Sequence, residues 1–151
     1  MSESVSIRTP ESEQEFERYF ALRWRLLREP WDQPRGSERD ELEDRAFHVM
    51  ACGNDGQPIG VGRVHLNTLR EAQIRYMAVE SKHQWHGVGT KILCALEQYA
   101  AAHGATHIVL HAREAVMGFY ESNGYQTVAP SHTLFDAIPH CLMRKYLTIE
   151  N

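Results

Sequence analysis

The stretch Gln84-Trp85-His86-Gly87-Val88-Gly89-Thr90-Lys91 lies between a predicted strand and the most regular amphipathic segment of the chain. In that segment apolar side chains recur at helical spacing from Val88 onward, and Gly104 stands where the helix is expected to end. A glycine-containing turn that leads into a helix leaves backbone N–H groups unpaired at the positive end of the helix dipole. Residues 84–90 are therefore predicted to bind a phosphate group through the main chain.

Two common phosphate-binding motifs do not match this turn. A Walker A loop needs the spacing Gly-x-x-x-x-Gly-Lys-Ser/Thr, which residues 87–91 lack. A dinucleotide-binding fingerprint needs a further glycine where Ile92 stands. An ordinary glycine-rich turn before a helix and a binder of some other nucleotide phosphate both stay open at this point.

Outward from the turn, hydrophobic periodicity predicts an α/β domain built on a mixed sheet, with the element order βααβββαβαββ. Proline and glycine residues separate the predicted elements. The predicted strands are 5–8, 46–52, 59–66, 72–79, 106–112, 125–129 and 140–147, and the predicted helices are 12–29, 37–42, 88–103 and 114–122.

Length and charge narrow the classes of protein. With 151 residues, 42% of them apolar, the chain is expected to form a single domain over residues 1–151. Its 16 basic and 20 acidic residues give a net charge of −4, which argues against general binding to nucleic acid or to an anionic membrane. The three widely spaced cysteines suit reduced thiols, and the polar N-terminus has no apolar signal core, so a cytoplasmic location is expected.

Two further runs flank the turn: Ile74-Arg75-Tyr76-Met77-Ala78-Val79 before it, and residues 115–125 after it, in which Tyr120 stands four residues before Gly124. Together the three runs resemble the GNAT superfamily of acetyl-CoA-dependent N-acyltransferases. The resemblance covers most of the chain and implies a splayed, mixed sheet flanked by helices. Residues 33–40, 74–79 and 112–114 also resemble the N-terminal acetyltransferase half of bacterial two-domain proteins that carry a thioesterase-like second domain.

The resemblance implies that acetyl-CoA is the acyl donor and that backbone groups hold it. Tyr120 matches the general acid that protonates the departing thiolate, and the Val79 amide is expected to polarise the thioester carbonyl. A Tyr120 that only packs in the core is the alternative. Gly89→Val is expected to weaken acetyl-CoA binding and to leave the fold intact. The implied cofactor-binding residues are Met77, Ala78, Val79, Gln84, Trp85, His86, Gly87, Val88, Gly89 and Thr90.

The general base stays open, because residues 72–79 contain no carboxylate. His65, His111 and Glu114 are candidates acting through water, and an amine that arrives neutral needs no base. The acidic run at residues 38–44 is expected to be a solvated helix face or to attract a cationic amine.

Three further residues are candidates for contacts with substrate or cofactor. A charge such as Arg75 within a central strand is costly unless it is paired or faces a cleft. We expect Arg75 either to bind an anionic group of the substrate or to form an ion pair with a carboxylate such as Glu43 or Asp44. Trp31 is a candidate wall of the acceptor site, and Arg113 stands where the family often has an asparagine.

The leading hypothesis is an N-acetyltransferase that acts on a small-molecule or peptide amine. The alternative is a non-catalytic acyl-CoA-binding module, which the missing strand carboxylate favours and the retained Tyr120 disfavours. A homodimer is compatible with the resemblance. No metal is expected, because the nine histidines complete no recognised four-ligand pattern.

Overall fold

The computed structural model describes residues 4–147, except for the side chains of Trp85 and His86. Within that range seven strands form one mixed sheet in the order β1-β2-β3-β4-β5-β7-β6. The mixed α/β sheet predicted from the periodicity is thereby confirmed. The strands are β1 (Ser6–Arg8), β2 (Phe47–Cys52), β3 (Pro58–Leu66), β4 (Glu71–Val79), β5 (His107–Arg113), β6 (Gln126–Leu134) and β7 (Ile138–Tyr146), and the helices are α1 (Glu13–Leu27), α2 (Val88–Ala102) and α3 (Met117–Ser122).

The two faces of the sheet carry separate cores. On one face α2 and α3 cover a large apolar cluster that includes Ile92, Leu96 and Tyr120. On the other face α1 covers a smaller cluster that includes Tyr19, Phe20 and Val61. The two faces of the sheet are therefore covered by different helices and different apolar side chains.

Helix α2 packs unusually close to β3, and a glycine makes this possible. A Cβ atom at Gly62 would lie 2.7 Å from Cγ2 of Ile92 and 3.0 Å from Cδ1 of Leu96. Any larger residue would push the helix away from the sheet. The absence of a side chain at Gly62 therefore fixes the short distance between α2 and the sheet.

Helix α1 begins as predicted, because the Ser12 hydroxyl accepts a hydrogen bond from the Glu15 N–H at 3.1 Å. It ends at Leu27 rather than near Glu29, since Arg28 leaves helical geometry with φ −126° and ψ −46°. Glu29–Trp31 then forms a short 3₁₀ turn that accommodates Pro30.

The helix predicted at residues 37–42 is wrong. Acidic side chains of the run at residues 38–44 face the interior and not the solvent: Asp40 accepts hydrogen bonds from the Arg63 guanidinium at 2.6 and 3.0 Å, and Glu43 accepts one from Arg23 at 2.9 Å. Both arginines have no exposed side-chain surface. A buried guanidinium must be paired, and this requirement outweighs the local preference for a polar helix.

Strand β6 extends to Leu134, well beyond the predicted end at Ala129. Its pairing with β7 is irregular between Thr127 and Ala129 and again between Pro130 and Thr133. Because β6 lies at the edge of the sheet, these irregular steps accommodate Pro130 without the loss of a central ladder bond.

Strands β4 and β5 separate along their length, and this separation creates the site. They pair in parallel only from Glu71 with His107 to Ile74 with Leu110. Beyond Ile74 the rest of β4 stays on β3, whereas the rest of β5 follows β7. The gap between the two diverging ends is the splay implied by the resemblance.

Candidate active site

A bulge in β4 lies at the start of the gap. The pairing of β3 with β4 skips between Val61 and Arg63, so that Gly62 stands opposite two residues, Tyr76 and Met77. Tyr76 has a φ of +58°, a left-handed conformation that is rare for an aromatic residue. The bulge directs the Tyr76 ring toward α1, where the Arg23 guanidinium carbon lies 4.3 Å from the ring centroid.

Beyond the bulge, the backbone of Val79 faces the gap. The Glu80 N–H donates to the Ile59 carbonyl at 2.9 Å, so Glu80 points toward β3. Polar groups of consecutive residues in an antiparallel strand point in opposite directions, and the Val79 N–H therefore points away from β3. By the same alternation Ala78, which is paired with Val61, directs its polar groups into the sheet rather than into the gap.

The predicted phosphate-binding turn lies directly before α2. Gly87 stands at the N-cap of the helix with a φ of +74° and, as a glycine, supplies no capping side chain. The first turn of α2 contains no acidic residue, so the positive end of the helix dipole is not neutralised locally. The Gln84 amide donates to the Val79 carbonyl at 3.2 Å and ties the turn to the end of β4.

These features suit a bound pyrophosphate. A Cβ atom at Gly87 would meet no protein atom within 4 Å, so space lies beside the turn. Val88 and Gly89 are buried, whereas Gln84 and Thr90 are exposed. The side chains of Trp85 and His86 lie outside the described part of the chain, and only their main chain is placed.

Gly89→Val is not a selective test of acetyl-CoA binding, although the sequence suggests that it is. A Cβ atom at Gly89 would lie 3.1 Å from the Phe119 ring and 3.8 Å from the Met77 methyl group. Gly89→Val would therefore force Phe119 to move, and the expectation of an intact fold is revised. The same contacts show that β4, the turn and α3 meet at one point.

Tyr120 is buried on the α2 face of the sheet, with its ring against Phe119 and Tyr125. Its hydroxyl forms no hydrogen bond to any residue among 4–147 and is not sealed from solvent. Burial raises the pKa of Tyr120, and the Arg113 guanidinium acts in the opposite direction. Tyr125 differs, because its hydroxyl donates to Glu97 at 2.8 Å.

Arg75 is ion-paired, but with a different carboxylate from those expected. Its Nη1 atom lies 2.8 Å from Oδ2 of Asp40, not from Glu43 or Asp44. Its side chain is 46% exposed at the gap. The Trp31 side chain is 37% exposed in the turn after α1. The main-chain N–H of Trp31 donates to the Arg28 carbonyl at 3.0 Å.

The three candidate bases lie in different places. His65 is buried in β3 and is hydrogen-bonded to Asn67, on the part of the sheet where β4 and β5 are still paired. Glu114 is exposed at the end of β5. His111 lies on the diverging part of β5, where burial, His132 and Arg75 lower its pKa. Of the three, His111 is the one that belongs to the diverging part of β5, and its ring lies 5.3 Å from that of His132.

The sequence did not reveal a cluster of arginines on the α1 side of the gap. Four guanidinium groups lie within 5.5 Å of the Tyr76 ring centroid. No motif marks these residues, since they come from α1, its C-terminal end, β3 and β4. The four are Arg23, Arg28, Arg63 and Arg75.

Within residues 4–147, no group of three or more His, Cys, Asp or Glu side chains could hold a metal ion. None of the helices in this range is long and apolar enough to cross a lipid bilayer.

Comparison with known proteins agrees with the geometry. The sequence model of the acetyltransferase (GNAT) family matches residues 16–125. The uncharacterized N-acetyltransferase YjcF of Bacillus subtilis (strain 168) is 29% identical over 134 residues, which cover 89% of this chain and 94% of that protein.

Solved structures share the fold. A crystal structure from Lactobacillus plantarum superposes on this chain with a TM-score of 0.82 at 23% sequence identity, over 96% of this chain and 99% of the other. An aminoglycoside 6'-N-acetyltransferase in complex with coenzyme A superposes with a TM-score of 0.78 at 16% identity, over 98% and 99% of the two chains. The match to the family model over most of the chain, together with the splayed sheet, shows that this protein belongs to the acetyltransferase (GNAT) family.

Proposed function

We propose that the protein is an acetyl-CoA-dependent N-acetyltransferase that transfers the acetyl group to a small-molecule or peptide amine by direct attack on the thioester. The observation that carries the proposal is the gap between β4 and β5. It opens beside the Val79 N–H, and the uncapped start of α2 and the Tyr120 hydroxyl lie on the same face of the sheet.

The donor is held mainly by main-chain groups. The N–H groups of residues 84–90 bind the pyrophosphate, because this segment leads into the positive end of α2 and its N-cap residue, Gly87, has no capping side chain. The main chain of Met77 and Val79 pairs with the pantetheine arm along the open edge of β4. Ala78 serves as part of the strand that carries these two residues. The coenzyme A complex of the structural relative supports this choice of donor.

The reaction needs stabilisation of a developing oxyanion and a proton for the leaving group. The amine nitrogen attacks the thioester carbonyl, a C–N bond forms, and the C–S bond breaks as the thiolate leaves. The Val79 N–H is placed to donate to the carbonyl oxygen. Tyr120 gives its proton to the thiolate sulfur, the amine loses one proton to water, and Tyr120 recovers a proton from water, so that the acid is regenerated. A raised pKa keeps Tyr120 protonated at neutral pH, as this role requires.

Release of free thiol from acetyl-CoA, measured with a panel of primary amines and with mass spectrometry of the products, tests the proposal. We expect enzyme-dependent thiol release matched by an acetylated amine. Binding of coenzyme A without turnover of any amine would indicate a non-catalytic module instead. Thermal stabilisation by ATP or NAD but not by coenzyme A would contradict both interpretations.

A further inference from the structure

We infer that Arg28 and Arg113 form an anion-binding pair that recognises a carboxylate on the acceptor, so that the substrate is a carboxylate-bearing amine such as an α-amino acid. This inference rests on the proposed N-acetyltransferase function. It concerns the α1 side of the gap, opposite the face on which α2 begins and Tyr120 lies.

The pair converges on one point. Nη1 of Arg28 donates to the Leu27 carbonyl at 3.1 Å, and Nη2 of Arg113 approaches the same oxygen at 3.5 Å. Arg28 follows the last residue of α1, and Arg113 is the last residue of β5. Two guanidinium groups that share one acceptor lie close enough to bind the two oxygens of a single carboxylate.

Neither guanidinium has a carboxylate partner within residues 4–147. The acidic side chains nearby are committed elsewhere: Asp40 pairs with Arg63 and Arg75, and Glu43 pairs with Arg23 and Arg63. Arg28 and Arg113 instead donate to main-chain carbonyls and contact aromatic rings, and Arg28 also has the neutral Tyr76 hydroxyl as a hydrogen-bonding neighbour.

Arg28 is nevertheless only 7% exposed. Burial lowers the pKa of Arg28 and of Arg113, and the charge of Arg28 lowers that of Arg113 further. Two like charges held together without a counterion are unfavourable, and an incoming anion relieves the repulsion. The folded protein is therefore destabilised by a positively charged pair that has no carboxylate partner within residues 4–147.

Arg113 also keeps donors that are not sealed from solvent. Nε and Nη1 of Arg113 have no hydrogen-bond partner within the described chain. Arg28 is more enclosed, because the Tyr76 hydroxyl is a hydrogen-bonding neighbour of its guanidinium. By contrast, Nε of Arg23 and Nε of Arg63 are sealed in the interior. The half-buried Arg113 therefore differs from the fully buried arginines that support the structure.

The backbone around Arg28 is held in costly conformations. Its guanidinium carbon lies 5.5 Å from the Tyr76 ring centroid and 5.5 Å from that of Phe135. Tyr76 has a φ of +58°, and Phe135, in the turn between β6 and β7, has a φ of +53°. Such backbone strain in non-glycine residues concentrates at functional sites. Arg28 thus contacts two aromatic residues whose backbone is in the left-handed region.

The position fits the reaction. The charge of Arg113 opposes the effect of burial on the pKa of Tyr120, so this arginine lies near the proposed acid. An acceptor whose carboxylate binds the two arginines would reach the thioester from the α1 side. Because Arg113 lies near Tyr120, we expect few bonds between the carboxylate and the amine, as in an α-amino acid.

The test compares α-amino acids with their carboxamides as acceptors, together with phosphoethanolamine as a phosphate-bearing amine. We expect at least one acid to be acetylated with a kcat/KM about 10- to 100-fold above that of its amide, the effect of one charge-assisted hydrogen bond. Arg28→Met and Arg113→Met should abolish this preference by raising the KM for the acid, and Arg113→Lys should restore part of it. Arg70→Met, on the distant turn between β3 and β4, is the matched control.

The affinity for acetyl-CoA, measured separately, distinguishes the possible failures. An amide or phosphoethanolamine used as well as the best acid would overturn the inference and leave the transferase function intact. Loss of acetyl-CoA affinity in Arg113→Met would assign that residue to the donor and likewise overturn it. If Arg28→Met does not fold, the half-buried Arg113 carries the test alone. If no amine in the panel is acetylated, calorimetric titration of the acids and the amides into the protein–coenzyme A complex replaces the kinetic test. Tighter binding of an acid than of its amide supports the anion-binding pair, and equal binding contradicts it.

Discussion

Arg63 and Asp40 are joined by two parallel hydrogen bonds, at 2.6 and 3.0 Å, between a fully buried guanidinium and a nearly buried carboxylate. This contact fastens the irregular segment after α1 to the middle of β3. Burial alone would raise the pKa of Asp40, but hydrogen bonds from Arg63 and from the Leu42 N–H, together with the charge of Arg75, lower it to about 2. The ion pair is therefore part of the fold on the α1 side of the gap.

Asp40→Asn should lower the free energy of unfolding by about 2–4 kcal/mol, because it leaves the Arg63 charge buried with less compensation. The stabilisation from Asp40 is complete above its unfolded pKa of 3.8 and is lost as the pH falls through about 2. Chemical denaturation at several pH values measures both effects. Glu17→Gln, an exposed position on α1, is the control, and a loss of stability no larger than in that control would contradict the prediction.

Removal of the Tyr120 hydroxyl should affect catalysis and not folding. Tyr120→Phe is expected to lower kcat about 100-fold or more, since a general acid is lost. Stability should change little, because this hydroxyl makes no hydrogen bond within residues 4–147. Steady-state kinetics and thermal unfolding separate the two effects.

Tyr125→Phe is the matched control for Tyr120. It removes a hydroxyl that donates to Glu97, so we expect a loss of about 1–2 kcal/mol in stability with kcat unchanged. Activity of Tyr120→Phe within twofold of wild type would leave Tyr120 with a structural role only.

A methyl group in the phosphate-binding turn should weaken the donor complex. Gly87→Ala places a Cβ atom in the open space beside the turn, and we expect roughly tenfold weaker binding of coenzyme A. Gly56→Ala is a close control, because Gly56 has a φ of +78° and its Cβ atom would also meet nothing within 4 Å. Both variants should lose about 1–2 kcal/mol of stability through left-handed strain. Calorimetric titration with coenzyme A should detect a change only for Gly87→Ala.

Two buried histidines make stability sensitive to mild acid. Burial lowers the pKa of His48 and of His65 below the ordinary value of 6.5. Below pH 6.5 the unfolded chain binds protons that the folded protein does not bind, so folding is progressively disfavoured. The free energy of unfolding should be constant above about pH 7.5 and should fall as the pH drops from 6.5 toward 5. A value that stays level or rises over that interval would be inconsistent with neutral, buried imidazoles.

Sequence patterns were informative wherever the cause lies within a few consecutive residues. Ser12 caps α1, Gly87 supplies the positive φ before α2, and apolar spacing reveals which face of each helix is buried. The predicted helix at residues 37–42 failed because the competing interactions are remote. Asp40 is 23 residues from Arg63 and 35 residues from Arg75 along the chain.

The candidate site likewise has parts that the sequence predicts and parts that it does not predict. The order of strand, turn and tyrosine predicts a donor site, because the main-chain groups of the turn belong to one continuous segment. The bulge at Tyr76 and the pair of Arg28 with Arg113 had no local signal. A positive φ at a tyrosine is stabilised only by the packing around it, and a carbonyl shared by residues 28 and 113 exists only after α1 and β5 are brought together.

The amino-acid sequence alone determined the α/β class, the order of the seven strands and three α-helices, and the glycine turn before α2, since these follow from periodicity and from backbone geometry within single segments. Only the tertiary structure decided that residues 37–42 form no helix, which charges are paired and which have no carboxylate partner within residues 4–147. Electrostatic compensation depends on distances in space between residues far apart in the chain, and no linear pattern encodes those distances directly.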